Sequence, residues 1–188
     1  LLLHSSADLR KPGGEYLQQW LLSLRDRGLV RRLGVSIYGP DELDGVAPDL
    51  LDLVQLPLSL YDQRLLVDGT IASLRSQGCA VHARSIYLQG LLLSPASSWP
   101  AWVDPAVLEH HARLEKFASE QGCSLLGCAL GFALAQQDLE AVVLGLCSRC
   151  ELQELLQVWG QSSPWKEDEW RNWNLSAHSI IDPRCWPH

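Results

Sequence analysis

Short apolar runs alternate with stretches of helical periodicity along most of this chain. Leu1-Leu2-Leu3-His4-Ser5 is an apolar run that closes on polar residues. From Glu15 to Arg27, Leu17, Trp20, Leu21 and Leu24 recur at the spacing of one helix face, and Gly28 ends the pattern. Leu33-Gly34-Val35-Ser36 is a second apolar run, and Pro40 with Asp41 opens a short helix. Leu51 to Leu56 and Ala80 to Ser85 read as strands, with a helix from Asp68 to Gln77 between them. Two helices follow, Pro105 to Gln121 and Ser124 to Gln136. Ala141 to Gly145 is the last strand and Glu151 to Trp159 the last helix of the alternation. Apolar strands alternating with helices predict a parallel sheet covered by helices, built from right-handed βα units of about 30 residues. No Gly-rich dinucleotide fingerprint follows any strand, which weighs against a doubly wound sheet and for a barrel.

The 188 residues carry a formal net charge of −7 with no basic block, which argues against nucleic-acid and anionic-membrane partners. The apolar stretch from Leu50 to Leu60 is broken by Asp52, Gln55 and Pro57, so it cannot serve as a membrane span. Leu1 to Leu3 lack the basic flank of a secretory signal. The six cysteines sit in core-like stretches, which suggests a reducing, cytoplasmic setting. The chain begins at Leu1, already strand-like, and contains no Met. We therefore expect a piece of a larger domain, with further βα units upstream.

Polar residues gather at the C-terminal ends of the apolar strands: His4 and Ser5, Ser36, Gln55, Arg84 and Ser85, then Ser148 and Arg149 beyond the last strand. In a barrel these ends converge on one face, where barrel enzymes do their chemistry. A single polar strand end is usually a loop residue, whereas five in succession suggest a site. Other features have blander readings. His82 lies inside a strand and reads as structural, and His110 and His111 fall on a polar helix and read as solvated. Cys147-Ser148-Arg149-Cys150 sits between a strand and a helix, the setting of a thiol redox pair, but late in the chain. It lacks the second pair that zinc would need, so no metal is expected. Five of the eight Trp crowd the region from Trp159 to Trp186 and read as packing for the tail. The sharper alternative is that some of them, with Trp99 or Trp102, wall a substrate pocket.

The ordered set of motifs resembles the aldo/keto reductase family. Leu1 to Ser5 resembles that family's fourth barrel strand with its catalytic histidine, here His4, and Arg32 to Ser36 its fifth. Val54 to Ser59 resembles the sixth, with Gln55 at the nicotinamide carboxamide. Arg84 to Leu92 resembles the seventh strand and its loop, and Val143 to Leu152 the eighth with the adenosine-phosphate site. Asp62-Gln63-Arg64, Arg84 to Gly90 and Ile181 to Arg184 are similar to a bacterial branch found with surface-saccharide biosynthesis genes. The resemblance implies a (β/α)8 TIM barrel, of which residues 1–188 supply strands four to eight: barrel units to about 160, then a tail from about 161. It implies reduction of an aldehyde or ketone, sugar-derived ones among the candidates, by NADP(H), with NAD(H) as the second candidate. It assigns His4 to orienting the carbonyl, and Ser36, Gln55, Arg84, Ser85, Gln89, Gly90, Ser148 and Arg149 to the cofactor. The Asp, Tyr and Lys partners of the histidine belong to earlier strands, so this chain alone is expected to be inactive, and Tyr38, Tyr61 and Tyr87 are not assigned to that role. Ile37, Glu151 and Leu155 stand where the family usually has Asn, Gln and Asn, and Arg84 replaces the aromatic residue that stacks on the nicotinamide. Two other classes stay open: a non-catalytic NADP-binding regulatory barrel, and a thiol redox protein using Cys147 and Cys150.

Overall fold

The computed structural model describes residues 1–176 and 178–187. In chain order the strands are β1 (Leu2–Leu3), β2 (Gly34–Ser36), β3 (Leu53–Pro57), β4 (Ala80–Arg84) and β5 (Ala141–Val142). The helices are α1 (Gly14–Asp26), α2 (Arg64–Val67), α3 (Thr70–Ser76), α4 (Pro105–Glu120), α5 (Leu125–Ala135), α6 (Arg149–Trp159) and α7 (Glu167–Trp170). Most predicted elements appear within a few residues of their expected bounds. The last strand is the exception, stopping at Val142 rather than Gly145. Contacts gather the chain into two compact units. The first holds Leu1–Pro57, Leu65–Arg84 and Asp138–Val142, and the second holds Leu58–Arg64, Ser85–Gln137 and Val143–His188.

The first unit contains the whole sheet. All neighbours pair in parallel, in the order β1-β2-β3-β4-β5. A right-handed crossover places its helix on a fixed side of the sheet when the strand order never reverses. This sheet is therefore singly wound, the winding of a barrel, and has no switch point of the doubly wound kind. Val35, Val54 and Val81 lie side by side in register and are essentially inaccessible. The alternate row carries Ser36, Gln55 and His82. The strand period of two thus separates an apolar face from a polar one. A Cβ on Gly34 would collide with the Leu53 carbonyl oxygen, so β2 and β3 approach this closely only over glycine. Asp52 ties α1 to the sheet: its Oδ2 accepts from Arg25 Nη1 at 3.1 Å and from the Leu33 amide at 2.9 Å. One expectation fails on α1, where Trp20 is exposed and Leu21 alone of the predicted stripe is fully buried.

The second unit is built on α4 and α5. Asp104 caps α4 by accepting from the Ala106 amide at 2.8 Å, with Pro105 at the first helical position. Helix α5 is apolar on every side, and Cys128, Ala129, Leu130 and Phe132 are completely buried. The tail packs here, as its Trp content predicts. Trp165 meets Phe117 edge-on, its amide donating to the Gly131 carbonyl at 3.0 Å, and Trp170 meets Phe132. The two short acidic-basic motifs are self-paired anchors. Asp62 binds Arg64 through two contacts of 2.9 and 3.0 Å, and Asp182 binds Arg184 through contacts of 2.9 and 2.6 Å. Between them Gln63 donates to the Leu60 and Trp170 carbonyls at 2.8 and 3.0 Å, fastening the tail to the loop after β3.

His110 and His111 correct the sequence reading: His110 is nearly buried and His111 completely so. His111 Nε2 lies 2.8 Å from the Ser94 carbonyl oxygen, which only accepts, so Nε2 carries the proton. Nδ1 then accepts from the Tyr61 hydroxyl at 2.6 Å. The apparently polar face of α4 is turned inward because these two rings find partners there.

Candidate functional site

Strand register assembles a first candidate site, within the first unit. Ser36 pairs with Gln55, Gln55 with His82, and Pro57 with Arg84. His4 is one residue beyond the Leu3–Val35 pair, so it comes level with Ser36. Parity places His4, Ser36, Gln55 and Arg84 on the same polar face of four adjacent strands, Ser36 and Arg84 as the last residues of their strands, His4 just beyond its own and Gln55 at the centre of β3. His4 is exposed, Gln55 half-buried and Ser36 buried. Arg84 reaches over β3: Nε donates to Ser36 Oγ at 3.4 Å and Nη2 to the Ile37 carbonyl at 3.2 Å. Its guanidinium also lies over the Tyr38 ring, 4.1 Å from the centroid. The plane expected to cover a nicotinamide is thus already stacked. Ile37 is fully buried and takes part through its backbone, its amide donating to the Gln55 carbonyl at 2.9 Å.

Ahead of β2 and β5, Arg32 grips Glu140 with two contacts of 2.9 and 2.7 Å, and His82 Nε2, from the middle of β4, donates to Glu140 at 3.0 Å. These bonds, Arg32 first, pull the Glu140 carboxyl down to about 2. His82 is therefore a structural partner, as its place inside a strand suggests.

A second candidate site lies within the second unit. A cleft of about 740 Å³ is lined by the loop after β4, the first turn of α5 and the segment that enters α6. Ser85, Gln89 and Gly90 line it. Its loop is strained: Ser85, Leu88 and Gln89 all adopt left-handed backbone, with φ of 63°, 48° and 54°. The Tyr87 hydroxyl in this wall is buried without a hydrogen-bond partner, and burial pushes its pKa up. Tyr61 is pushed up more strongly, chiefly by burial. Neither is suited to giving up a proton at neutral pH.

Ser148 and Arg149 are not in the lining, although Cys147 and Glu151 beside them are. Ser148 caps α6, its Oγ accepting from the Glu151 amide at 3.1 Å, while Glu151 Oε2 accepts from the Cys147 amide at 2.7 Å. Arg149 is exposed at the first position of the helix. Sequence reasoning missed Ser124, Leu125 and Leu126, which close one side of the cleft. The available signal was Ser124 before an apolar run, the mark of a helix start whose amides face outward. Glu151 and Glu154 add two carboxylates to the wall, and Leu155 an apolar side chain. Trp99 packs on His111 instead of walling the cleft, and Trp102 on Trp186. Cys147 and Cys150 are exposed free thiols. Among the described residues no three His, Cys, Asp or Glu side chains are placed to hold a metal ion. No helix among them is long and apolar enough to cross a membrane.

A singly wound parallel sheet with polar residues toward its C-terminal edge defines a barrel-type α/β protein. Residues 15–175 match the Aldo/keto reductase family, and the chain belongs to it. Solved structures agree in fold. The aldo-keto reductase AKR11C1 from Bacillus halodurans, in its apo form, aligns with a TM-score of 0.62 at 19% identity, over 81% of this chain and 53% of its own. The thermostable aldo-keto reductase Tm1743, in complex with the inhibitor epalrestat, gives 0.62 at 18% identity, over 94% and 58%. A mutant of Gox0644 in complex with NADPH gives 0.60 at 15% identity, over 92% and 57%. The chain thus spans about half the length of these solved relatives. No curated protein matches it. The five strands in unbroken order correspond to consecutive units of the TIM barrel these reductases share.

Proposed function

We propose that this chain is the C-terminal part of a single-domain barrel reductase, with barrel units to about residue 160 and a tail beyond. It works in a reducing cytoplasm, a setting that suits six free thiols. The reaction is reduction of an aldehyde or ketone, sugar-derived compounds included, to the alcohol. The observation that carries the reading is the register that puts His4, Ser36, Gln55 and Arg84 on one face of four adjacent strands.

The cofactor is NADP(H), with NAD(H) its competitor, and when bound it supplies the hydride. Ser36 and Gln55 would offer hydrogen bonds to the carboxamide, and Arg84 would cover the ring. Ser85, Gln89 and Gly90 belong to the nucleotide end. The orphaned Tyr87 hydroxyl fits that assignment, since a buried donor without a partner is costly until a ligand satisfies it. Ser148 fixes the start of α6 and Arg149 offers its charge there. Glu151 and Glu154 oppose a 2′-phosphate, so discrimination between the two dinucleotides is weak. His4 holds the substrate carbonyl oxygen by a hydrogen bond that strengthens as charge develops on it.

Steady-state kinetics of the full-length protein with NADPH and a panel of aldehydes and ketones tests this. His4→Ala should lower kcat/KM about 100-fold or more while NADPH affinity holds. Equal kcat/KM in the variant would remove His4 from the reaction.

A further inference from the structure

Outside both candidate sites, Cys123 and Cys128 bring their sulfurs to 3.5 Å, while the other four cysteines are free thiols without such a neighbour among the described residues. Local structure explains the meeting. Ser124 is the N-cap of α5, its Oγ accepting from the Gly127 amide at 3.1 Å. Cys123 is then the residue before the cap and Cys128 the fourth residue of the helix. Those are the two positions of a hydrophobic staple, which fixes the angle at which a chain enters a helix. Here both ends of the staple are thiols. The Cys123 amide is held by the Ala118 carbonyl at 2.9 Å and the Cys128 amide by the Ser124 carbonyl at 2.9 Å, so the backbone keeps the two side chains facing. The pair is also asymmetric in access. Cys128 is completely buried, whereas Cys123 is half-exposed and lines an open cleft of about 580 Å³ with Gly122, Gly127 and Trp165.

We propose that Cys123 and Cys128 form a reversible dithiol–disulfide pair, a covalent staple at the head of α5. The oxidant is a low-molecular-weight disulfide such as oxidised glutathione. The Cys123 thiolate attacks one sulfur of that disulfide, forms a mixed disulfide and releases one glutathione thiolate. Cys128 then loses its proton, and its sulfur attacks the Cys123 sulfur and expels the second glutathione. Two protein thiols give up two electrons and two protons, and the oxidant becomes two thiols. Burial raises the Cys128 thiol, which fits its role as the second, resolving partner. Bond formation brings the sulfurs from 3.5 Å to about 2.05 Å. The residues between them, Ser124 with Leu125 and Leu126, line the cofactor cleft. The bond therefore acts on the nucleotide end proposed above, and that consequence alone rests on the functional reading.

The test is mass mapping of the folded full-length protein after exposure to oxidised glutathione, with alkylation of the remaining thiols. The expected product is lighter by two hydrogens, carries a Cys123–Cys128 bond and reverts with dithiothreitol. Cys128→Ser should stop at glutathione on Cys123, and Cys123→Ser should leave Cys128 unmodified. A wild-type protein that stops at the mixed disulfide, keeps both thiols alkylatable, or bonds Cys147 to Cys150 instead would overturn the proposal. NADPH titration of the oxidised and reduced forms reads the consequence: a shift of about threefold or more supports it, and equal affinities refute it. Failure of the reduced form to bind NADPH would count against the functional reading and leave the sulfur result standing.

Discussion

The two candidate sites are made by different physics. On the strand edge, position follows from pairing: once Val35, Val54 and Val81 are buried in register, Ser36 and Gln55 have only one face left to occupy. In the cleft, position follows from loops, where three non-glycine residues hold left-handed backbone and two helix starts supply the rest of the wall. The first kind of site is as robust as the sheet that carries it. The second stores strain and depends on caps. Perturbing either should expose that difference.

The largest effect is expected at the sheet. Gly34→Ala forces a Cβ against the Leu53 carbonyl, which the β2–β3 pairing cannot relieve without separating. A loss on the order of 3 kcal/mol is expected, read as a drop in the urea midpoint. A loss below about 0.5 kcal/mol, the range of ordinary surface substitutions, would mean the strands tolerate separation.

Acid should distinguish the two units next. Burial, the largest cause, lowers the pKa of His111, which is neutral between Tyr61 and Ser94. The unfolded chain then takes up that proton first, so stability falls as pH drops below about 6.5. In the first unit Glu140 sits at about 2, held down by Arg32 and His82. Its contribution is present above about 4.3 and is lost only as pH falls toward that folded value. The second unit should therefore loosen first. Tryptophan fluorescence follows it, because Trp20 is the single indole of the first unit and the other seven are in the second. The fluorescence-monitored midpoint should fall between pH 7 and 5 in the wild type and change less in His111→Gln. Parallel pH profiles would rule out His111 as the cause.

A smaller effect sharpens the contrast in strain. Gln89 is exposed with φ 54°. Gln89→Gly should stabilise the protein by up to about 1 kcal/mol, while cofactor affinity falls with the lost side chain. A stabilised variant of unchanged affinity would make Gln89 a strained turn residue only.

How much of this was legible follows the same division. The strands and the polar face that carries Ser36, Gln55 and Arg84 could be read because a strand repeats every two residues. The cleft could be read only in part. Ser85, Gln89 and Gly90 stand beside a strand end, but Ser124 to Leu126 come from a helix start distant in sequence. Ser148 carries a second legible role: Ser148-Arg149-Cys150-Glu151 has the spacing of a capping box, and its hydroxyl does go to the helix. His110 and His111 misled because charge patterning counts every histidine as polar, whereas one carbonyl and one tyrosine hydroxyl suffice to bury a neutral ring.

The central claim is that the polar strand edge holds a nicotinamide cofactor, and Arg84 tests it most directly. Its guanidinium is shared between Ser36, Ile37 and Tyr38, so the side chain is positioned before any ligand arrives. The measurement is calorimetric titration of the full-length protein with NADPH, for the wild type and for Arg84→Ala. A rise of about 10-fold in Kd is the predicted result, the scale of one charge-assisted contact, with the melting temperature little changed. An unchanged Kd in a folded variant would place the nicotinamide elsewhere and contradict the claim.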